Sequence, residues 1–279
     1  MNLNPKLFLP LLSIALAAGV VAAPTTPAFA AEPDPVVNHA VFSNPIGSEA
    51  EQNAVFIQFA RLIDRVPAGE EIAMSFFGFD TVSDADSPED PDLTARLLNA
   101  HERGVKVKII LDKAQEGNEA HTALKAALGD DDSQDSWIAT CADQFADRPD
   151  RGCIGTRVVE WSGGPLPAYN HNKFALFSKL EMNDGAAVSD VVFTGSSNIG
   201  EWDAVEAYNN MFTFSDPGSY DGFRAYFEDL RAYRYTAEGD NDYYTDTGSG
   251  TDYRSFFFPR HERPGQSLDD PATDTVYNT

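Results

Sequence analysis

Apolar side chains at Val55, Phe56, Phe59, Leu62, Ile63 and Val66 recur at the three-and-four spacing that puts them on one face of a helix. Ser48 and Glu51 ahead of them have the spacing of a capping box, and Pro67 and Gly69 end the run. A short strand is expected before this helix at His39–Phe42. After it, the nearly continuous apolar stretch Glu71–Phe79 predicts a buried strand. The pattern then returns to helical spacing over Asp92–Glu102, stops at Gly104, and gives way to a strand at Val105–Leu111. Helices are expected again over Glu119–Leu128 and Tyr220–Leu230, and a strand over Thr156–Trp161 leads to a turn at Ser162–Pro167. Lys173–Leu180 and Val191–Thr194 read as a hairpin joined by the polar stretch Glu181–Asp190, which looks like an insertion. Strand–helix–strand order with short connections predicts an α/β fold: a mixed, mostly parallel sheet flanked by helices.

The two ends of the chain lack this alternation. Lys6 precedes the apolar run Leu7–Ala23 and then Ala28-Phe29-Ala30, a small-x-small cleavage pattern, so residues 1–30 are expected to be a signal peptide cleaved near Ala30 and the protein to be secreted. Residues 31–237 form the expected main lobe. Residues 238–254, rich in Gly, Asp, Thr and Tyr, read as a linker. Residues 255–279 repeat the order seen at Val41–Pro45, an aromatic strand followed by a turn, and are expected to open a second, truncated lobe.

Composition then narrows the partners. A net charge of −24 leaves no surplus of Lys and Arg for counterion release, so no stable nucleic-acid complex is expected. The acidic stretches Asp80–Asp92 and Asp130–Asp135 lack the spacing of a calcium loop and read as solvated charge; no metal or cofactor is expected. Two cysteines remain beyond the leader, Cys141 and Cys153, and in an oxidising compartment they are expected to pair. Closing so short a loop stabilises by about 3 kcal/mol in the chain-entropy picture.

Chemistry concentrates in His171-Asn172-Lys173 and Gly195-Ser196-Ser197-Asn198. Alternation along a strand puts His171 and Lys173 on one side. If the next strand returns antiparallel, its exit turn brings Ser196 and Asn198 to the same end. An imidazole, an ammonium, a hydroxyl and an amide in one small volume suit a tetrahedral phosphate: the donors hold non-bridging oxygens, and the imidazole attacks phosphorus or moves a proton.

These residues resemble the phospholipase D superfamily, whose motif runs H-x-K-x4-D with a following G-S/G-x-N. His171, Lys173, Gly195, Ser196 and Asn198 fall on motif positions, over a resemblance spanning roughly Val41–Leu230. The resemblance implies a covalent phosphohistidine intermediate and metal-free cleavage. His171, Lys173 and Asn198 would be catalytic; Lys173, Ser196, Asn198 and Asn209 would hold the phosphate. Two positions depart from the family pattern. Ser178 stands where the motif has Asp, and Tyr208-Asn209-Asn210-Met211 lies where Asn-x-Glu is common. The family site also needs two His-x-Lys sets. Of the five histidines, His39, His101, His121 and His261 lack a Lys two residues on, so a homodimer partner or a second lobe is expected to complete the site. The favoured reading is a secreted phosphodiesterase acting on a phospholipid. A secreted nuclease of the same superfamily, and a non-catalytic binding domain on the same fold, are the alternatives.

Overall fold

A computed structural model describes residues 32–80, 87–141, 152–155, 159–166, 168–234, 252–253 and 255–258. The expected signal peptide, most of the expected linker and residues 259–279 lie outside the described residues. In chain order the elements are β1 (His39–Phe42), α1 (Glu49–Gln52), α2 (Ala54–Asp64), β2 (Glu71–Phe76), α3 (Leu93–Glu102), β3 (Lys106–Leu111), α4 (Glu119–Leu128) and β4 (Trp137–Thr140). They continue with β5 (Val159–Trp161), β6 (Gly164–Leu166), β7 (Lys173–Glu181), β8 (Ala187–Gly195), α5 (Glu201–Val205), β9 (Asn210–Ser215) and α6 (Pro217–Tyr233).

The capping box at Ser48 and Glu51 is formed, but the helix it starts is short. Asn53 caps α1 and a new helix, α2, carries the apolar face. A seven-stranded sheet has the order β1-β9-β8-β7-β2-β3-β4, and β5 and β6 form a separate ribbon. This is the expected mixed sheet flanked by helices. The expectation of a mostly parallel sheet is corrected: only β2–β3 and β3–β4 are parallel, whereas β1–β9, β9–β8, β8–β7 and β7–β2 are antiparallel. The helices α3 and α4 cross between the parallel strands, whereas β7 and β8 are joined by a tight turn and must pair antiparallel. Pairing of β7 with β8 runs out to Glu181 opposite Ala187, so half of the polar stretch is strand and a tight turn with Gly185 at φ 84° closes it.

Each face of the sheet buries its own apolar layer. On one side Phe59 of α2 lies between the rings of Phe76 and Phe193, at 5.7 and 5.0 Å, amid Leu62, Ile63, Leu97 and Leu124 from α2, α3 and α4. Burying one such ring contributes about 1.5–3 kcal/mol, so this layer fixes how the helices sit on the strands. On the other side Phe223, Tyr226, Phe227 and Leu230 of α6 cover Phe174, Leu176 and Val192. Two residues beyond α6 pack on this second layer: Tyr253 against Phe212 and Phe214, and Phe257 between Phe223 and Tyr226. Cys141, directly after β4, is bonded to Cys153 with a Cα–Cα distance of 4.6 Å.

Candidate active site

Strand register assembles the site. Phe76 pairs with Lys173, Phe174 with Thr194, and Gly195 with Met211, so the end of β2, the start of β7, the end of β8 and the start of β9 reach one sheet edge. Gly195 permits this closeness, since a Cβ there would come 2.2 Å from the Asn210 carbonyl oxygen.

His171 is solvent-exposed, its ring 4.8 Å from that of Phe77, and its imidazole makes no side-chain hydrogen bond among the described residues. Lys173 is 8% exposed. Its ammonium lies 5.4 Å over the Phe77 ring and donates one hydrogen bond, to the His171 carbonyl at 3.2 Å. Burial, and then the Lys173 charge, push the His171 imidazole below its ordinary pKa. Burial also pushes the Lys173 ammonium down, opposed by the negative charge of Asp203. The pair therefore offers a neutral imidazole beside a cation with unspent donors.

Ser196 Oγ donates to Asn209 Oδ1 at 3.0 Å and accepts from the Asn210 N–H at 3.0 Å. Asn198 Oδ1 accepts from the Gly78 N–H at 3.1 Å, which ties the β8 exit turn to the chain leaving β2. Asn209 is buried; its N–H donates to Ser43 Oγ at 2.8 Å and its amide to Asp203. The amides of Asn198 and Asn209 thus spend much of their capacity on the protein itself, which holds the turn rigid. The carboxylate at the centre, Asp203 of α5, was not foreseen. Its partners lie five residues before and six after it, a spacing that matches no short motif. One of two acids inside the short run Glu201–Val205, it carries no periodic signal.

The two departures from the motif have distinct local outcomes. Ser178 Oγ accepts from the Glu71 N–H at 2.8 Å and donates to Glu70 Oε2 at 2.7 Å, so a carboxylate still reaches this point from the neighbouring strand. Met211 is fully buried in the α2-side layer, where its thioether packs rather than bonds.

A second polar group, absent from the sequence reading, holds the approach to β7. Asp112 Oδ2 accepts from the Asn170 N–H at 2.7 Å, and Asn170 Nδ2 donates to Ser75 Oγ at 3.0 Å. Asn172 Nδ2 donates to Asn170 Oδ1 and to the Tyr226 hydroxyl. The disulfide backs the same approach: it holds Gly152–Gly155, and Gly152 lies so near that a Cβ would sit 2.4 Å from the Tyr169 carbonyl oxygen. Between these parts opens a cavity of about 500 Å³, lined by His171 and Lys173 on one side and by Phe223, Tyr226 and Phe256–Phe258 on the other.

No group of three or more His, Cys, Asp or Glu side chains stands close enough to hold a metal among the described residues. None of the described helices is long and apolar enough to cross a membrane.

A family described as cardiolipin synthase, PLD-like domain, matches residues 67–231. Similar solved structures include a phospholipase D family member, Nuc, from Salmonella typhimurium, 18% identical over 70% of this chain and 93% of that one, with a TM-score of 0.42. NucT from Helicobacter pylori is 14% identical over 70% of this chain and 96% of that one, TM-score 0.43. Polyphosphate kinase from Porphyromonas gingivalis is 12% identical over 74% of this chain and 31% of that one, TM-score 0.41. No curated protein matches the chain.

Proposed function

The chain belongs to the PLD-like domain family, and from that premise we propose that it is an exported phosphodiester hydrolase whose half-site is centred on His171 and Lys173. The observation that carries this reading is the buried Lys173 ammonium, with donors unspent among the described residues, next to a neutral imidazole that no described side chain hydrogen-bonds. Burial is costly for a lysine unless an anion repays it, and a phosphate does so while the ammonium holds its non-bridging oxygens.

In the first step an imidazole nitrogen of His171 attacks phosphorus. The N–P bond forms as the P–O ester bond breaks, and the leaving oxygen takes a proton from a second imidazolium. Water then attacks phosphorus, gives its proton to that second imidazole, and the N–P bond breaks. The second imidazole belongs to another His-x-Lys set, carried by a second copy of the chain or a second lobe. Of the residues assigned to the phosphate, Lys173 lines the cavity, and Ser196, Asn198 and Asn209 build the turn that follows β8. The apolar wall of Phe223, Tyr226 and Phe256–Phe258 suits the glycerol and acyl part of a phospholipid, and the charge of −24 disfavours a nucleic acid.

Hydrolysis of a chromogenic phosphodiester by the full chain tests the reading. His171→Ala is expected to lose on the order of 10³-fold in kcat/KM with Tm unchanged. Equal rates in parent and variant would leave the non-catalytic binding domain as the reading, one that Met211 favours. Comparing phosphatidylcholine with single-stranded DNA separates lipase from nuclease.

A further inference from the structure

We propose that Asp203 is a positioning residue of this site: from α5 its carboxylate fixes the amides of Asn198 and Asn209, in place of a carboxylate that β9 lacks at Met211. This rests on the phosphodiesterase reading above. One oxygen of Asp203, Oδ1, receives the Asn198 N–H at 3.1 Å, the Asn198 amide at 3.5 Å and the Asn209 amide at 3.2 Å. The main-chain carbonyl of Asp203 receives the Asn209 amide as well, at 3.2 Å. A carboxylate only 8% exposed needs such donors, because an unpaired buried charge costs several kcal/mol. No cation lies within ion-pair distance of it among the described residues; the two Asn amides satisfy it, and its charge opposes the burial that lowers the Lys173 pKa.

The charged or titratable groups that act on the Lys173 ammonium are Asp203 from α5 and His171 from its own strand. The other side chains at this edge, Phe77, Ser196, Asn198 and Asn209, carry no charge. Met211 is fully buried in the apolar layer and offers nothing in exchange. Asp203 therefore does two jobs with one group. It aims the amides of the Gly195–Asn198 turn, and its charge opposes the burial that lowers the pKa of the Lys173 ammonium.

Three variants of the full chain test this: Asp203→Asn, Asp203→Glu and His171→Ala. Rates on bis(p-nitrophenyl) phosphate are followed against pH, and the Lys173 pKa is read by NMR of ¹³C-labelled lysine. Asp203→Asn keeps shape and an acceptor but loses charge. It is expected to move the alkaline limb of kcat/KM, and the Lys173 pKa, to lower pH by about one unit, the scale of a single neighbouring charge. Asp203→Glu is expected to keep the parent limb. An alkaline limb and Lys173 pKa unmoved in Asp203→Asn, with His171→Ala inactive, would overturn the role of Asp203 and leave the enzyme reading standing. A His171→Ala variant as active as the parent would overturn the enzyme reading, and the lysine titration would still decide on Asp203. If Asp203→Asn fails to fold, Asp203→Ser, which also removes the charge, carries the decision: a Lys173 pKa below the parent value would uphold the proposal, and an unmoved one would overturn it.

Discussion

Two buried polar networks flank the entry to β7, and they are built to opposite ends. In the one around Asp112, Ser75, Asn170, Asn172 and Tyr226, donors find acceptors inside the protein: the Tyr226 hydroxyl donates onward to the Phe258 carbonyl at 3.1 Å. In the other, Ser196, Asn198, Asn209 and Asp203 satisfy one another, yet His171 and Lys173 at its rim keep unspent donors. The first, closed network spends its donors on acceptors within the protein and serves as placement, presenting Asn170, Asn172 and Tyr226 to the cavity already satisfied. The open one carries an electrostatic deficit that an anion corrects. Satisfied buried polar groups rigidify; unsatisfied ones bind.

The sharpest way to break the contrast is to remove the deficit. Lys173→Met is expected to lower kcat/KM on the order of 10³-fold while leaving Tm at or above the parent, because a buried ammonium is replaced by an apolar chain of similar length. The same substitution should raise the His171 pKa, since the Lys173 charge holds it down; NMR titration of the imidazole checks this. Breaking the closed network should do the reverse. Asp112→Ala leaves the N–H groups of Asn170 and Ala114 without their acceptor, and is expected to cost about 2–3 kcal/mol in urea unfolding, with activity lost only as the approach to His171 loosens.

The pH profile sharpens the comparison from the acid side. A depressed imidazole pKa keeps His171 in its neutral, nucleophilic form to lower pH, so the acid limb of kcat/KM for the parent is expected below the ordinary histidine value of 6.5. A limb above that value would show that the nucleophile is not held as described. The smallest effect is expected for Tyr226→Phe, about 1 kcal/mol of stability, since Asn172 loses one acceptor while keeping the other.

Sequence patterning exposed the parts of the molecule where a period is long enough to be seen. The α2 face, β3 and the β7–β8 hairpin follow their apolar spacing, and the His-x-Lys and Gly-Ser-x-Asn segments meet because that hairpin sets their register. Hidden parts are those whose meaning lies in partners far along the chain. Strand β4 is four residues long beside an acidic stretch, and β9 alternates Met211 and Thr213 with Phe212 and Phe214, leaving no polar face to mark a strand. The parallel share of the sheet was overestimated because strand–helix–strand order describes only β2, β3 and β4. Asp112, Asn170 and Asp203 were invisible for a related reason: each acts on a segment that no fixed spacing connects to it.

The link between Cys141 and Cys153 has a consequence for when the chain can work. Gly152, pressed against the Tyr169 backbone, forms a floor under the residues that lead into His171, and one covalent crosslink anchors that floor to the sheet. In a glutathione-rich interior the anchor opens and the floor is free to drift. Reduction of that one bond is therefore expected to loosen the placement of His171, a change read by comparing kcat/KM before and after dithiothreitol.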